Sequence, residues 1–242
     1  MQLSLNADGL VRALDVAAAP YRSVSPRPKD TTADGSIMVE ATPEGLLCTG
    51  QGGDLTARTL AEHRENRPAL AATLTAAPAL MPARLIRGVC TALKAAGQHW
   101  AMLSITSTSV YVDAYGFTAP IQVPNLWGVA QSHNLDSWFH PHHEGPLPAA
   151  KLHPSLAPAG LSALTSTLHR YDDPSARSGL ILSPNDGDPV LGITWTFQDW
   201  AMGTITPTGF ARVDETGPWG LARLRRAAHP ARHGARFASV AG

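Results

Sequence analysis

The sequence predicts an α+β protein built from repeated β-α-β-β-β units. Three observations carry that prediction. A short apolar helix followed by alternating strand-like segments occurs about three times: Leu10–Ala19 before Ser36–Gly50 and Asp54–Leu60, Pro82–Ala96 before the strands between His99 and Pro124, and a weaker copy from Pro158 to Tyr171 before strands reaching Thr206. Repetition of this kind decides an architecture before any residue is assigned chemistry. The 242 residues suffice for one large domain or two ordinary ones with a sizeable core. The 44% hydrophobic content is ordinary for a globular chain, and no apolar run reaches bilayer length.

The elements follow in order. Leu3 and Leu5 alternate with polar residues and predict a first strand. Asp8 is the expected N-cap of a helix from Gly9 to Ala19, with Leu10, Leu14 and Ala17 on one face and Pro20 as its stop. Tyr21–Gly35, with its prolines and Asp-Gly, reads as a loop. Ile37, Val39 and Ala41, a turn at Thr42–Gly45, and the return through Leu46–Gly50 make a hairpin. Gly50–Gly53 reads as a second turn, leading into a strand from Asp54 to Leu60. Glu62–Pro68 is a charged break and Leu70–Ala76 is strand-like.

Pro82 opens the second helix, which has an apolar stripe of Leu85, Ile86, Val89 and Leu93 and ends at Gly97. Strands are expected over Trp100–Thr106, Val110–Ala114 and Thr118–Val123. Asn125–Pro148, rich in His, Pro, Trp and Gly, reads as a long connector. Leu161, Leu164 and Leu168 mark the third helix. Strands are expected at Gly179–Ser183, Val190–Phe197 and Ala201–Thr206, then a final helix from Pro218 to His229 and a disordered tail.

Lysine plus arginine and aspartate plus glutamate are both 19, so the formal charge is zero, but it is sorted. Ala95–Ala150 contains no Lys or Arg, whereas Gly209–Gly242 holds six arginines against Asp214 and Glu215. A neutral chain with sorted charge can bind a polyanion through one face. Cys48 and Cys90 sit among apolar neighbours and read as buried free thiols. The amino terminus lacks the basic and apolar stretches of a signal peptide, and a cytoplasmic, non-membrane protein is expected.

Met1–Leu5 with the Gly9–Ala19 helix, Val39–Leu47, and Leu80–Ile86 with Ile105–Pro124 resemble, in order and spacing, the amino-terminal domain of bacterial DNA sliding clamps. These are the processivity rings of replicative polymerases. The resemblance is close over residues 1–124 and poor over 147–242. A bacterial clamp has three such domains and this chain has room for about two, as in eukaryotic, archaeal and some phage clamps. A divergent clamp of phage or mobile-element type fits that departure.

The resemblance implies a clamp domain at 1–124, a connector at 125–146, a shortened clamp domain at 147–230 and a tail at 231–242. It also implies a non-catalytic homo-oligomer, a trimer if the family's twelve-helix ring holds. That ring would encircle double-stranded DNA without regard to sequence, tether a DNA polymerase and be placed by a clamp loader, with no cofactor and no metal. Helices line the hole of such a ring. The cations lying off the apolar stripes, Arg12, Arg84, Arg87, Lys94, Arg170, Arg223, Arg225 and Arg226, are therefore expected to face DNA. Leu126, Trp127 and Val129 are expected near the groove that takes a partner's peptide.

Other chemistry is sparse. His133, His140, His142, His143, Glu144 and His153 carry zinc-compatible donors, which keeps open a metal-dependent hydrolase. The spacing is not that of a helical His-Glu-x-x-His site, and a solvated His-rich loop is the simpler reading. A monomeric DNA-binding accessory protein that retains half the fold is a third possibility. No Gly-x-Ser-x-Gly elbow or phosphate-binding Gly-Lys-Ser/Thr loop is present.

Overall fold

The computed structural model describes residues 2–22, 35–63, 78–130, 153–172, 179–184, 193–207 and 209–211. Strand β1 (Gln2–Asn6) turns Leu3 and Leu5 inward and runs directly into α1 (Ala7–Ala17). The cap is Asn6, not the expected Asp8: its Oδ1 accepts the Gly9 N–H at 2.9 Å, so the helix starts two residues early. Nor does Pro20 end the helical stretch. Ala18 is the C-cap, and the chain re-enters a helical turn, α2 (Ala19–Arg22), whose second position tolerates proline because no N–H is needed there.

The meander β2 (Ser36–Ala41), β3 (Gly45–Gly52) and β4 (Leu55–Glu62) forms as the alternation predicts. Gly50 and Gly52 lie inside β3 instead of in a turn. A Cβ at Gly50 would stand 1.8 Å from the Ala17 carbonyl oxygen, and one at Gly52 would stand 2.4 Å from that of Pro20. These glycines let the end of α1 and all of α2 cross the sheet at backbone contact.

The second unit repeats the first: β5 (Ala79–Pro82), α3 (Ala83–Ala96), β6 (Trp100–Ile105), β7 (Ser109–Ala114) and β8 (Ile121–Pro124). Pro82 is the N-cap of α3, and Gly97 closes it in the left-handed conformation, φ 61°. The buried stripe is Ile86, Val89, Cys90 and Leu93; Leu85 is 38% exposed, and Cys90 takes the place expected for it. A short helical turn, α4 (Trp127–Ala130), follows. The third unit is β9 (His153–Ser155), α5 (Pro158–Leu168) continued by a 3-10 turn to Tyr171, β10 (Leu180–Pro184), β11 (Ile193–Phe197) and β12 (Ala201–Ile205). Strand β13 (Gly209–Ala211) pairs with β9.

All pairings are antiparallel. One sheet has the order β1-β6-β7-β8 and another β10-β11-β12-β4-β3-β2-β5. The first two units share one core, in which Leu10 and Leu14 of α1 and Ile86, Val89 and Leu93 of α3 meet the inward rows of both sheets. The third unit is joined through β4–β12, and its core of Leu164, Leu168, Trp195, Phe197 and Trp200 incorporates Val16, Leu55 and Ala57 of the first unit. Gly203 permits that junction: a Cβ there would lie 2.0 Å from the Thr56 carbonyl, to which the Trp195 indole N–H donates at 2.9 Å. The expected strand at 70–76, the His-rich stretch at 133–144, and the final helix and tail lie outside the described residues.

Candidate nucleic-acid interface

Helix α3 separates apolar from charged residues cleanly. With Ile86, Val89, Cys90 and Leu93 buried, the opposite face exposes Arg84, Arg87, Gly88, Thr91 and Lys94. These positions are spaced i, i+3, i+4, i+7 and i+10, so they form one stripe. The helix contains no acid. Lys94 sits in the last turn, where a cation complements the helix dipole, and its ammonium lies 5.6 Å from the centroid of the Tyr171 ring.

Helix α1 is different. It is buried almost all round, and only Asp8 is exposed, with Arg12 half-buried. The Arg12 guanidinium stacks 4.2 Å from the centroid of the buried Trp200 ring. Burial lowers the Arg12 pKa, against the opposing charges of Asp199 and Glu62. Its Nε is buried without a hydrogen-bond partner.

Three residues farther along, Asp15 is a hub that sequence reading did not single out. It is 5% exposed, forms an ion pair with Arg22, accepts the Tyr171 hydroxyl at 2.8 Å and stands 3.3 Å from Arg170 Nη1. Thr167 completes the group by accepting from Arg22 at 3.2 Å and from Arg170 at 3.1 Å. Burial alone would push the Asp15 carboxyl up. The hydrogen bonds from Arg22 and Tyr171, with the charges of Arg22 and Arg170, outweigh it and hold the carboxyl below its ordinary value. The Tyr171 hydroxyl is pushed up, first by burial and then by donating to that carboxylate. The one available signal was that Asp15 is a charged residue between two apolar ones, Leu14 and Val16, on a helix.

Of the expected DNA-facing residues, the structure therefore gathers Arg84, Arg87 and Lys94 on one open face. It places Arg12 against Trp200 and Arg170 against Asp15 and Thr167, while Arg223, Arg225 and Arg226 lie outside the described residues. Ser162, Thr165 and Ser166 make the exposed face of α5 neutral. A cleft of about 890 Å³ opens between the start of α1 and the end of α3, where Arg12, Lys94, His63 and His99 face Asp8 and Glu62.

The expected peptide neighbourhood is anchored by Asn125. Its Oδ1 accepts the N–H groups of Leu80 and Trp127, both at 3.0 Å, and its Nδ2 donates to the Thr106 carbonyl at 2.8 Å. Leu126 and Trp127 are half-buried there, and Val129 lies in α4. Cys48 and Cys90 are buried free thiols. Among the described residues no three His, Cys, Asp or Glu side chains are grouped to hold a metal, and no helix is long and apolar enough to cross a membrane.

The repeated units, with helices layered against antiparallel sheets, superpose on solved structures. The beta subunit of DNA polymerase III from Thermotoga maritima matches with a TM-score of 0.56 at 7% identity, over 86% of this chain and 65% of that one. The C. crescentus beta sliding clamp matches at 0.50 and 12% identity, over 86% and 66%. The Pseudomonas aeruginosa DNA polymerase sliding clamp matches at 0.50 and 10% identity, over 86% and 65%.

The chain has the sliding-clamp fold. It spans just under two thirds of the length of these clamp structures. No protein-family model and no curated protein matches its sequence. Within the sliding-clamp fold α1 packs against both α3 and α5, and against strands β3 and β4.

Proposed function

We propose that this chain is a DNA sliding clamp: a non-catalytic, ring-forming processivity factor that encircles duplex DNA and tethers a DNA polymerase. The observation that supports it best is the clamp fold combined with a solvent-facing stripe of Arg84, Arg87 and Lys94 on an acid-free helix. Three spaced cations attract phosphate without reading bases, which suits a ring that must slide. Arg223, Arg225 and Arg226 of the expected final helix would extend that surface. Leu126, Trp127 and Val129 mark the neighbourhood proposed for a partner's peptide, from a polymerase or a clamp loader.

A chain with two clamp domains closes a six-domain ring as a trimer, and edge strands left open at a domain's end favour such closure. Molar mass by light scattering, with primer extension by a partner polymerase, tests the proposal. A trimer that lengthens extension products supports it. A strict monomer at micromolar concentration removes the ring and leaves the non-ring accessory reading on the same fold.

A further inference from the structure

We propose that the cations of the helix layer serve two separate tasks. Arg84 and Arg87 of α3, with Gly88 one turn beyond Arg84, form the phosphate seat, whereas Arg12, Arg22 and Arg170 hold the third unit against the first and do not meet DNA. This rests on the duplex-DNA reading above and divides its residues.

The first observation is engagement. Arg12 is stacked on a buried indole, and Arg22 and Arg170 are bound to a buried carboxylate and to Thr167. A guanidinium committed in this way would have to give up those partners to reach a phosphate. Arg84 and Arg87 are exposed on a helix with no acid to hold them.

The second observation is Gly88, which stands in the middle of α3 on the exposed face. A glycine there weakens a helix relative to alanine. The usual reason for tolerating it, close packing, is missing, since a Cβ at Gly88 would meet nothing within 4 Å. Glycines facing the protein behave otherwise: a Cβ at Gly160 of α5 would stand 3.1 Å from Asp54. A bare patch of helix backbone, one turn from Arg84 and next to Arg87 in sequence, is a place where a phosphate chain can approach the helix closely beside these two cations.

The experiment measures binding of the full chain to a short linear duplex across a salt series, with oligomeric state and melting temperature recorded for each variant. Arg84→Gln/Arg87→Gln is expected to reduce the slope of log affinity against log salt by about 1.8 per copy in contact, at about 0.9 for each phosphate released. Arg12→Gln and Arg170→Gln are expected to lower the melting temperature and leave the slope unchanged. Arg12→Gln, on the other side of the same junction, keeps the test open where Arg170→Gln fails to fold. Gly88→Gln is expected to raise the melting temperature and weaken DNA binding together.

A slope reduced by about 0.9 per copy in contact by Arg12→Gln or Arg170→Gln, at equal oligomeric state, overturns the division while leaving the DNA reading in place. So does unchanged binding by Gly88→Gln. Absence of salt-dependent binding in the unmodified chain removes the DNA reading, and the division with it.

Discussion

Asp15→Asn probes the junction between the units. The substitution keeps the shape of the side chain, removes its charge, and turns one acceptor into a donor facing groups that themselves donate. A hydrogen bond to a charged group contributes about 1.5–3 kcal/mol, and stripping one partner from a fully buried ion pair costs about 3–5 kcal/mol. The arginine side chains are 32% and 50% exposed at Arg22 and Arg170, so both recover water once the carboxylate is gone. The lower range applies, and a loss of about 2 kcal/mol is expected. In a chain of this size each kcal/mol moves the melting temperature by roughly 2–4 °C, so a fall of roughly 4–8 °C should appear by circular dichroism at neutral pH.

The pH dependence fixes the cause. A carboxyl held below its ordinary value of 3.8 stabilises the fold above that pH, and the contribution disappears as pH falls through the lower folded value. The gap between the two proteins should persist from neutral pH to about 3.8 and close at more acid pH. A cycle with Arg170→Gln should return a coupling energy above about 0.5 kcal/mol. Equal stability at neutral pH, or a gap that stays open in strong acid, would refute the account of Asp15 as an ionised hub.

Two further outcomes follow from the packing. Gly50→Ala places a Cβ 1.8 Å from the Ala17 carbonyl, so α1 must shift off β3. A loss of at least about 1–3 kcal/mol is expected in a thermal melt, and an unchanged melting temperature would mean that the helix end does not cross the strand there. Burial, more than the neighbouring Asp15, pushes the Cys90 thiol up to about 12, and burial pushes Cys48 higher still. Both should resist thiol reagents at neutral pH until denaturant is added, and a thiol labelled rapidly in the folded protein would contradict the shared core.

The architecture was legible because helix and strand periods alternate openly. Leu3/Leu5, the Thr42–Gly45 turn, Gly97 and the Leu164/Leu168 pair each act locally, and each stands where its period puts it. Readings failed where a distant segment decides. Gly50 and Gly52 look like a turn because loops are where glycine is common, and only the crossing of α1 and α2 over β3 shows why a strand needs them. Pro20 looks like a stop because the sequence does not reveal a new helical turn beginning just before it. The site was legible by helix and illegible by residue. Arg12 and Arg84 both lie off the apolar positions of their helices, yet the partners that separate them, Trp200 for one and solvent for the other, are fixed by tertiary packing.

That separation has a geometric origin. When three helices lie side by side on a sheet, the middle one has neighbours on both flanks and the least surface left for solvent. Helix α1, which packs against both α3 and α5, is in that position, and it is buried nearly all round. Any charge it buries must find a lateral partner, because leaving it unpaired in such a place costs several kcal/mol. Asp15 accordingly draws Arg22 from α2 and Arg170 from the end of α5, and Arg12 turns onto Trp200. On helix α3, which carries no acid, Arg84 and Arg87 stand exposed and remain available, while Lys94 lies over the Tyr171 ring. Counting arginines per helix therefore overstates the number of exposed cations. The order of helices in the layer decides which cations hold the protein together and which are free to hold something else.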